Sequence, residues 1–193
     1  MSNRQSKHLK IKSLGFSLLE VLVSITIITI ITATVLAQYS GFDSTTLLRN
    51  QAYDIALSIR EAQVLGVSVR GRDAQFRTEY GIYVDSTTNQ YILFFDEDFS
   101  SNPTYNSNDP TKTIRSTALD PRFEIYDLIA GGSSGQDNVT IGFQRPNFDA
   151  ILLNDSGDTV NEVEIVIASK RSGETFSVYV NSVGRIRVGS SSP

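Results

Sequence analysis

Residues 16–37 read FSLLEVLVSITIITIITATVLA, and this apolar stretch decides the architecture of the chain. Its 22 residues contain a single ionisable side chain, that of Glu20. A helix of this length, rising 1.5 Å per residue, spans roughly 33 Å, which matches the roughly 30 Å hydrocarbon core of a bilayer. The stretch therefore predicts a membrane-spanning helix, which we place at residues 16–40.

The charges on the two sides of this helix differ in sign. Residues 1–15 contain four basic side chains and no acidic one. The formal charge of the whole chain is −4, which leaves −8 for everything after residue 15. Because basic residues beside a span stay in the cytoplasm, we expect a cytoplasmic N-terminus and an extracytoplasmic C-terminal domain. An acidic domain repels a phosphate backbone, so no nucleic acid is expected as a partner.

The composition argues against most classes of enzyme. The chain is 40% hydrophobic and 20% charged, as globular proteins are, and it contains no cysteine. Disulfides, thiolate metal sites and cysteine nucleophiles are therefore excluded. His8 is the one histidine and lies in the basic segment, so the rest of the chain lacks the commonest general base. We predict that the protein is not an enzyme and that it needs no cofactor.

The junction between the basic segment and the apolar stretch carries a specific pattern. Residues 12–20 read KSLGFSLLE, and this run resembles the leader of type IV pilins and type II secretion pseudopilins. The resemblance implies a leader at 1–15, cut between Gly15 and Phe16 by the prepilin peptidase, which also N-methylates Phe16. It further implies three partners besides that enzyme: other pilin subunits, the inner-membrane assembly platform and membrane lipid.

Glu20 is the acidic residue of the apolar helix and requires an explanation. A lone carboxylate in hydrocarbon costs several kcal/mol, so it is a functional candidate. In the pilin family an acid at this place pairs with the N-terminal ammonium of a neighbouring subunit during assembly. Two unit charges 4 Å apart attract by roughly 4 kcal/mol at an effective dielectric constant of 20. The alternative, a protonated glutamate near the lipid headgroups with no partner, stays open.

The apolar helix departs from the family in one respect. Many pilins have a proline where this chain has Ala37, so local melting of the helix is not implied. Hydroxyl side chains are able to loosen a helix by bonding back to its carbonyls, or they are tolerated spacers. The chain has five in this stretch: Ser24, Thr26, Thr29, Thr32 and Thr34.

Two other interpretations of the N-terminus stay open. The first is a secretory signal peptide cut after Ala37, although its apolar core would exceed the usual length of about 7–15 residues. The second is a plain single-pass anchor. Neither interpretation accounts for Gly15 or for Glu20, whereas the pilin leader accounts for both.

An amphipathic helix is predicted to follow at residues 41–71. Its apolar residues recur at intervals of three, four or seven, which is the spacing of one helix face: Leu48, Ala52, Ile55, Ile59, Ala62 and Val69. We expect Ser44 or Thr45 to cap this helix after a bend at its start, and Gly66 or Gly71 to end it. Because the apolar stripe is one-sided, the helix must pack against another surface.

Residues 72–193 are predicted to form a β-rich globular domain. Short runs rich in Val, Ile, Phe, Tyr and Thr indicate strands at 76–84, 90–95, 122–127, 139–144, 162–169, 174–180 and 184–188. Turns at 171–173 and 181–184 favour an antiparallel meander. The predicted fold class is therefore α+β, with a long N-terminal helix, membrane-spanning and then amphipathic, packed on an antiparallel sheet as in pilins. The domain resembles that of the H-type minor pseudopilins, and the G-type major subunit stays an alternative.

Residues 154–158, which read NDSGD, are rich in oxygen ligands. Some pseudopilins hold calcium in a C-terminal loop, so Asp155 and Asp158 are calcium candidates. The run lacks the twelve-residue pattern and the terminal glutamate of a calcium loop. A turn between two strands explains it better, and we predict no metal.

These observations predict a structural subunit, a pilin or minor pseudopilin of a type IV pilus or a type II secretion-like filament. It would reside in the inner membrane before it enters the filament. The alternative is a single-pass, membrane-anchored binding module, such as an adhesin or an uptake tip, with a basic or aromatic surface patch. A membrane-tethered enzyme would need a convergent polar cleft, which the sequence does not indicate.

Overall fold

The computed structural model describes residues 15–68, 79–96, 105, 110–144 and 148–190, with the backbone alone at 37–43 and 110. The chain divides into two compact units, Met1–Ser40 and Gly41–Pro193. The elements in chain order are α1 (Leu18–Val67), β1 (Glu79–Asp85), β2 (Gln90–Asp96), a 3₁₀ turn (Pro110–Lys112), β3 (Thr113–Ala118), β4 (Phe123–Ala130), β5 (Asn138–Phe143), β6 (Ala150–Leu153), β7 (Thr159–Val160), β8 (Glu162–Ser169), β9 (Thr175–Asn181) and β10 (Ile186–Gly189).

In the first unit, α1 presents its apolar side chains to the surroundings. The leucine, isoleucine and valine side chains from Leu18 to Leu36 are between 47% and 84% exposed. These 19 residues are long and apolar enough to cross a membrane, by length and composition. At 1.5 Å per residue they span roughly 28 Å, close to the thickness of a bilayer core. The predicted apolar helix is therefore confirmed.

In the second unit, α1 buries the stripe that its spacing predicted. The five described members of the stripe have no exposed surface: Leu48, Ala52, Ile55, Ile59 and Ala62. They belong to one hydrophobic cluster that also includes residues of β1, β5, β8 and β9. The sixth predicted member, Val69, lies outside the described residues. The helix ends at Val67, directly after Gly66, which was one of the two expected ends.

The predicted N-cap of this amphipathic segment is wrong. Ser44 and Thr45 are not N-caps, because α1 is continuous from Leu18 to Val67. The Thr45 hydroxyl instead donates a hydrogen bond to the Glu174 carboxylate at 2.5 Å. A glycine inside a helix costs about 1 kcal/mol relative to alanine, which is too little to interrupt α1 at Gly41, and the predicted bend there stays a prediction.

The strands form two antiparallel sheets. One has six strands in the order β3-β2-β1-β5-β6-β7, and the other has four in the order β10-β9-β8-β4. Every strand pairing in both sheets is antiparallel. The predicted α+β class is therefore confirmed, while the division into two sheets was not predicted.

The predicted strands match the observed ones with small shifts, and three strands were missed. β8 occupies 162–169, as predicted, and it pairs with β9 across the predicted turn at 171–173. The first predicted strand began at 76, but β1 begins at Glu79 and the residues before it lie outside the described ranges. β3, β6 and β7 fall where no strand was predicted. β3 is mostly exposed, and the other two are only four and two residues long.

Two residues on α1 fix how the helix sits in the second unit. The buried Gln63 side chain donates hydrogen bonds from Nε2 to the carbonyl oxygen atoms of Gly184, at 3.0 Å, and Phe148, at 3.2 Å. Gly66 lies so close to β5 that an added Cβ would be 2.6 Å from the carbonyl oxygen of Phe143. The last turns of α1 therefore pack against backbone as well as against apolar side chains.

Candidate functional site

The Gly15–Phe16 peptide bond lies in non-helical backbone directly before α1. The Phe16 side chain is 81% exposed. A Cβ added to Gly15 would meet nothing within 4 Å among the described residues. Packing in the described chain therefore does not require glycine at this position.

Ser17 is the N-cap of α1, a role that was not predicted. Its side-chain Oγ accepts a hydrogen bond from the backbone amide of Glu20 at 3.2 Å. Its carbonyl oxygen accepts from the amides of Glu20, at 3.1 Å, and Val21, at 3.2 Å. The signal was present in the sequence, because serine followed by glutamate three residues later is the spacing of a capping box. Only half of that box forms in the described residues, since no hydrogen bond there joins the Glu20 carboxylate to the Ser17 amide.

Glu20 lies in the first turn of α1, where the partial positive charge of the helix N-terminus favours an acid. It is the one charged residue between Leu18 and Leu36. The structure thus places Gly15 and Phe16 just before the first residue of α1, and Glu20 in its first turn. Cleavage at Gly15 and the assembly role of Glu20 stay predictions.

Four hydroxyl groups of the apolar helix bond back to its own carbonyl oxygens. Ser24 donates to Glu20 at 2.8 Å, and Thr26, Thr29 and Thr34 donate to the residues four before them at 2.8–2.9 Å. Each hydroxyl is thereby satisfied within the helix and needs no partner in hydrocarbon. Back-bonding, one of the two alternatives for these hydroxyls, is therefore present at four of the five candidate residues, and a loosening of the helix stays a prediction.

The calcium candidates Asp155 and Asp158 lie in the hairpin that joins β6 to β7. The Asn154 side chain accepts a hydrogen bond from the Asp158 amide at 2.7 Å, and Gly157 has a φ of 83°. The predicted turn is therefore confirmed. Among the described residues, no three histidine, cysteine, aspartate or glutamate side chains are grouped as a metal site would require.

One family model matches the chain, and its description is a prokaryotic N-terminal methylation motif. It covers residues 11–36, a range that contains Gly15, Phe16 and Glu20. Neither a curated protein nor a solved structure matches the chain. The match lies in the leader and the apolar helix, so it identifies the N-terminal motif and does not extend to the two sheets.

The motif and the apolar helix support the same conclusion. The motif supports a pilin- or pseudopilin-type subunit that is processed by prepilin peptidase. The exposed helix from Leu18 to Leu36 is consistent with a membrane-anchored subunit of that type. The kind of filament is a separate question, because the matched residues contain only the signals for processing and anchoring.

Proposed function

We propose that this protein is a structural subunit of a type IV pilus or a type II secretion-like filament, assembled through its N-terminal helix. The observation that carries the proposal is the coincidence of two features in one segment. Residues 11–36 match the methylation motif, and Leu18–Leu36 within this range form an apolar helix with a single acid, whose large apolar side chains are 47–84% exposed. The proposal assigns the protein no catalysis, no cofactor and no nucleic-acid partner.

The surroundings of Gly15 support processing by an external enzyme. Close packing is one common reason for a glycine, and among the described residues it does not apply at Gly15, where an added Cβ would meet nothing within 4 Å. Its small size is then a feature that another molecule recognises. The exposed backbone before the Ser17 cap is also the kind of segment that fits an active-site groove. We infer that the prepilin peptidase reads Gly15 and cuts before Phe16.

Glu20 is proposed as the assembly residue. Cleavage would create an ammonium group at Phe16, and this group is a natural partner for the one acid of the membrane helix. At 4 Å the attraction is roughly 4 kcal/mol at an effective dielectric constant of 20, which is enough to set the register between neighbouring subunits. We propose that the ammonium of one subunit pairs with Glu20 of the next, while the inner-membrane assembly platform and lipid receive the helix.

The charge distribution supports the proposed orientation. Four basic residues and no acid precede the apolar helix, so the N-terminus would stay in the cytoplasm. Residues 41–193, with their two sheets, would then lie outside the inner membrane and later on the filament. An α+β unit in which a helix is buried against antiparallel sheets is the architecture expected for a minor pseudopilin of the H type, the subclass that we favour.

Mass spectrometry of the N-terminus of the protein from its native host tests this function. We expect a chain that begins with methylated Phe16. A chain that begins with Gln38 would instead support a secretory signal peptide and would refute the proposal. A chain that keeps residues 1–15 in a host with an active prepilin peptidase would support a plain membrane anchor, and would refute it equally.

A further inference from the structure

The outer face of the four-stranded sheet carries an ordered arrangement of charges. Alternate residues of β8 and β9 point into the core, among them Val163, Ile165, Val178 and Val180, all at most 1% exposed. Because successive side chains of a strand point to opposite faces, the residues between them lie on the outer face, which is accessible around Glu162 and Glu164 and buried at Val166, Ala168 and Ser177. This face is part of the unit Gly41–Pro193 and does not involve the apolar helix.

Two rows of opposite charge lie on either side of β9. Glu162 and Glu164 on β8 form the acid row, and Arg185 and Arg187, at and just after the turn into β10, form the arginine row. The strand register places Glu164, Tyr179 and Arg187 side by side across the three strands, so they share one level along the strand direction. Glu162 is opposite Asn181. The Arg185 amide in turn donates to Asn181 Oδ1 at 2.9 Å, so these three residues form a second level.

The two rows do not neutralise each other within the described part of the chain. The ion pairs found there involve other residues, so the acid row and the arginine row form none. Strand spacing explains this, because β8 and β10 are two strands apart, or roughly 10 Å. Both rows border a shallow cavity of about 230 Å³.

Tyr179 fills the space between the rows at one level. The Arg187 guanidinium lies 4.6 Å from the centre of the Tyr179 ring. Burial, and then a hydrogen bond to the Glu164 carboxylate, raise the pKa of Tyr179 above its ordinary value. Tyr179 thus lies between the two rows, with its ring against the Arg187 guanidinium.

The arrangement is complementary to itself. A two-fold axis parallel to β9, passing above Tyr179 and Asn181, places β8 of one copy over β10 of the other. The levels along the strands are preserved by this rotation. Glu162 of each copy then faces Arg185 of the other, and Glu164 faces Arg187, which gives four ion pairs. A contact in which the same patch serves both partners is the property of a two-fold interface.

We propose that the outer face of the four-stranded sheet pairs two copies of this protein through the acid row and the arginine row. A second copy fits better than a polyanion, because the acid row and the charge of −8 after residue 15 repel phosphates. The contact is small and polar compared with interfaces that bury about 800 Å² per partner, so it is weak and sensitive to salt. The inference goes beyond the proposed function and does not depend on N-terminal processing.

Cross-linking of the full chain in detergent micelles tests this pairing. The chain contains no cysteine, so each introduced one is a unique reporter. Tyr179→Cys lies on the proposed axis, and sheets packed face to face are about 10 Å apart, within reach of a short bismaleimide. Ser116→Cys, exposed on β3 of the other sheet, is the matched control. We expect a cross-linked dimer from Tyr179→Cys only, and equal yields from the two reporters would overturn the proposal.

Charge reversal then identifies the groups that make the contact. In the Tyr179→Cys chain, reversing the acid row (Glu162→Arg, Glu164→Arg) or the arginine row (Arg185→Glu, Arg187→Glu) should lower the dimer yield by about tenfold or more. Mixing the two reversed chains, or reversing all four residues in one chain, should restore it. High salt should weaken the parent dimer as well.

The reversed variants also define the results that would contradict the proposed pairing. Unchanged dimer yield in either reversed chain would overturn the proposal, and so would failure of the fourfold variant to recover pairing while its circular dichroism stays that of the parent. The fourfold variant decides the question even if one of the reversed chains does not fold. Methylation of Phe16 has no effect on this assay, so the proposed function and this contact can fail separately.

Discussion

Helix α1 contains two apolar regions that differ in what covers them. From Leu18 to Leu36 the large apolar side chains are 47–84% exposed, whereas the stripe from Leu48 to Ala62 has no exposed surface. The first region is apolar all round, and the second is apolar on one face only. A helix that is apolar all round must be covered completely, and the described chain offers it no cover. Under the proposed function, this region is covered by lipid or by other subunits.

The same residue types therefore have different roles in the two regions of α1. An isoleucine in the stripe contributes to the stability of this chain alone. Under the proposed function, an isoleucine in the exposed region contributes to anchoring or to assembly, and only when a second molecule or a bilayer is present. Variants matched between the two regions should therefore differ in which measurement they change.

The largest expected effect is the loss of a buried side chain. Ile59→Ala should lower the free energy of unfolding by about 2–5 kcal/mol, because it leaves a cavity among fully buried residues. The matched change Ile28→Ala, at a side chain that is 62% exposed, should leave it unchanged. Urea unfolding of the full chain in micelles measures both, followed by tyrosine fluorescence since the chain has no tryptophan. Equal losses in both variants would remove the distinction between the regions.

Acidic residues provide the second comparison. Glu20→Ala should leave membrane insertion and cleavage intact but lower incorporation into filaments by about tenfold or more, because the ammonium of a neighbour loses its partner. The control is Glu61→Ala on the second half of α1. Glu61 pairs with Arg115 at 2.6 Å on the surface, where such pairs contribute about 0–1 kcal/mol. Immunoblots of sheared filaments measure incorporation, and normal incorporation of Glu20→Ala would refute the pairing role.

The buried stripe of α1 could be predicted from the sequence because helical burial repeats locally. Leu48, Ala52 and Ile55 follow the period of one helix face, and no knowledge of the partner surface is needed to see it. β8 could be predicted for a similar reason. Val163, Ile165 and Ile167 alternate with Glu162 and Glu164, and all three are buried.

The missed strands had no such local signal. β3 reads TIRSTA, and its side chains are mostly exposed, so it is a strand by virtue of its backbone pairing with β2 at the edge of the sheet. β6 reads AILL and is buried on both faces, so its four residues show no alternation. The division into two sheets depends on contacts between residues distant in sequence, which periodicity does not contain.

The candidate site residues were proposed from the resemblance of residues 12–20 to a pilin leader, and not from geometry. The range of the family match contains Gly15, Phe16 and Glu20, while the roles of the three residues stay predictions. Two features of the site are visible only in the structure: the open space around Gly15 among the described residues, and the capping of the helix by Ser17. The paired charge rows around Tyr179 depend on the register of three strands, which no sequence pattern revealed.

Glycines provide the third comparison, with a smaller effect on stability. Gly66→Ala should cost roughly 1–3 kcal/mol, because its Cβ would lie 2.6 Å from a backbone oxygen of β5 that cannot easily move. Gly15→Leu should not change the unfolding midpoint, since an added Cβ meets nothing there. It should instead abolish cleavage by the prepilin peptidase. Efficient cleavage of Gly15→Leu, seen as a shortened chain on a gel, would contradict recognition of Gly15.

The smallest expected effect concerns the start of the helix. Ser17→Ala removes the acceptor for the Glu20 amide and should destabilise the first turn by about 1 kcal/mol. Amide hydrogen exchange at Glu20 and Val21 should then be about fivefold faster in micelles, as measured by NMR. The control Ser24→Ala removes a hydroxyl that only bonds back to the helix, and it should leave this exchange unchanged. The same result is expected in the cleaved chain, because the cap follows the cut. Unchanged exchange in Ser17→Ala would mean that membrane burial, and not the cap, fixes where α1 begins.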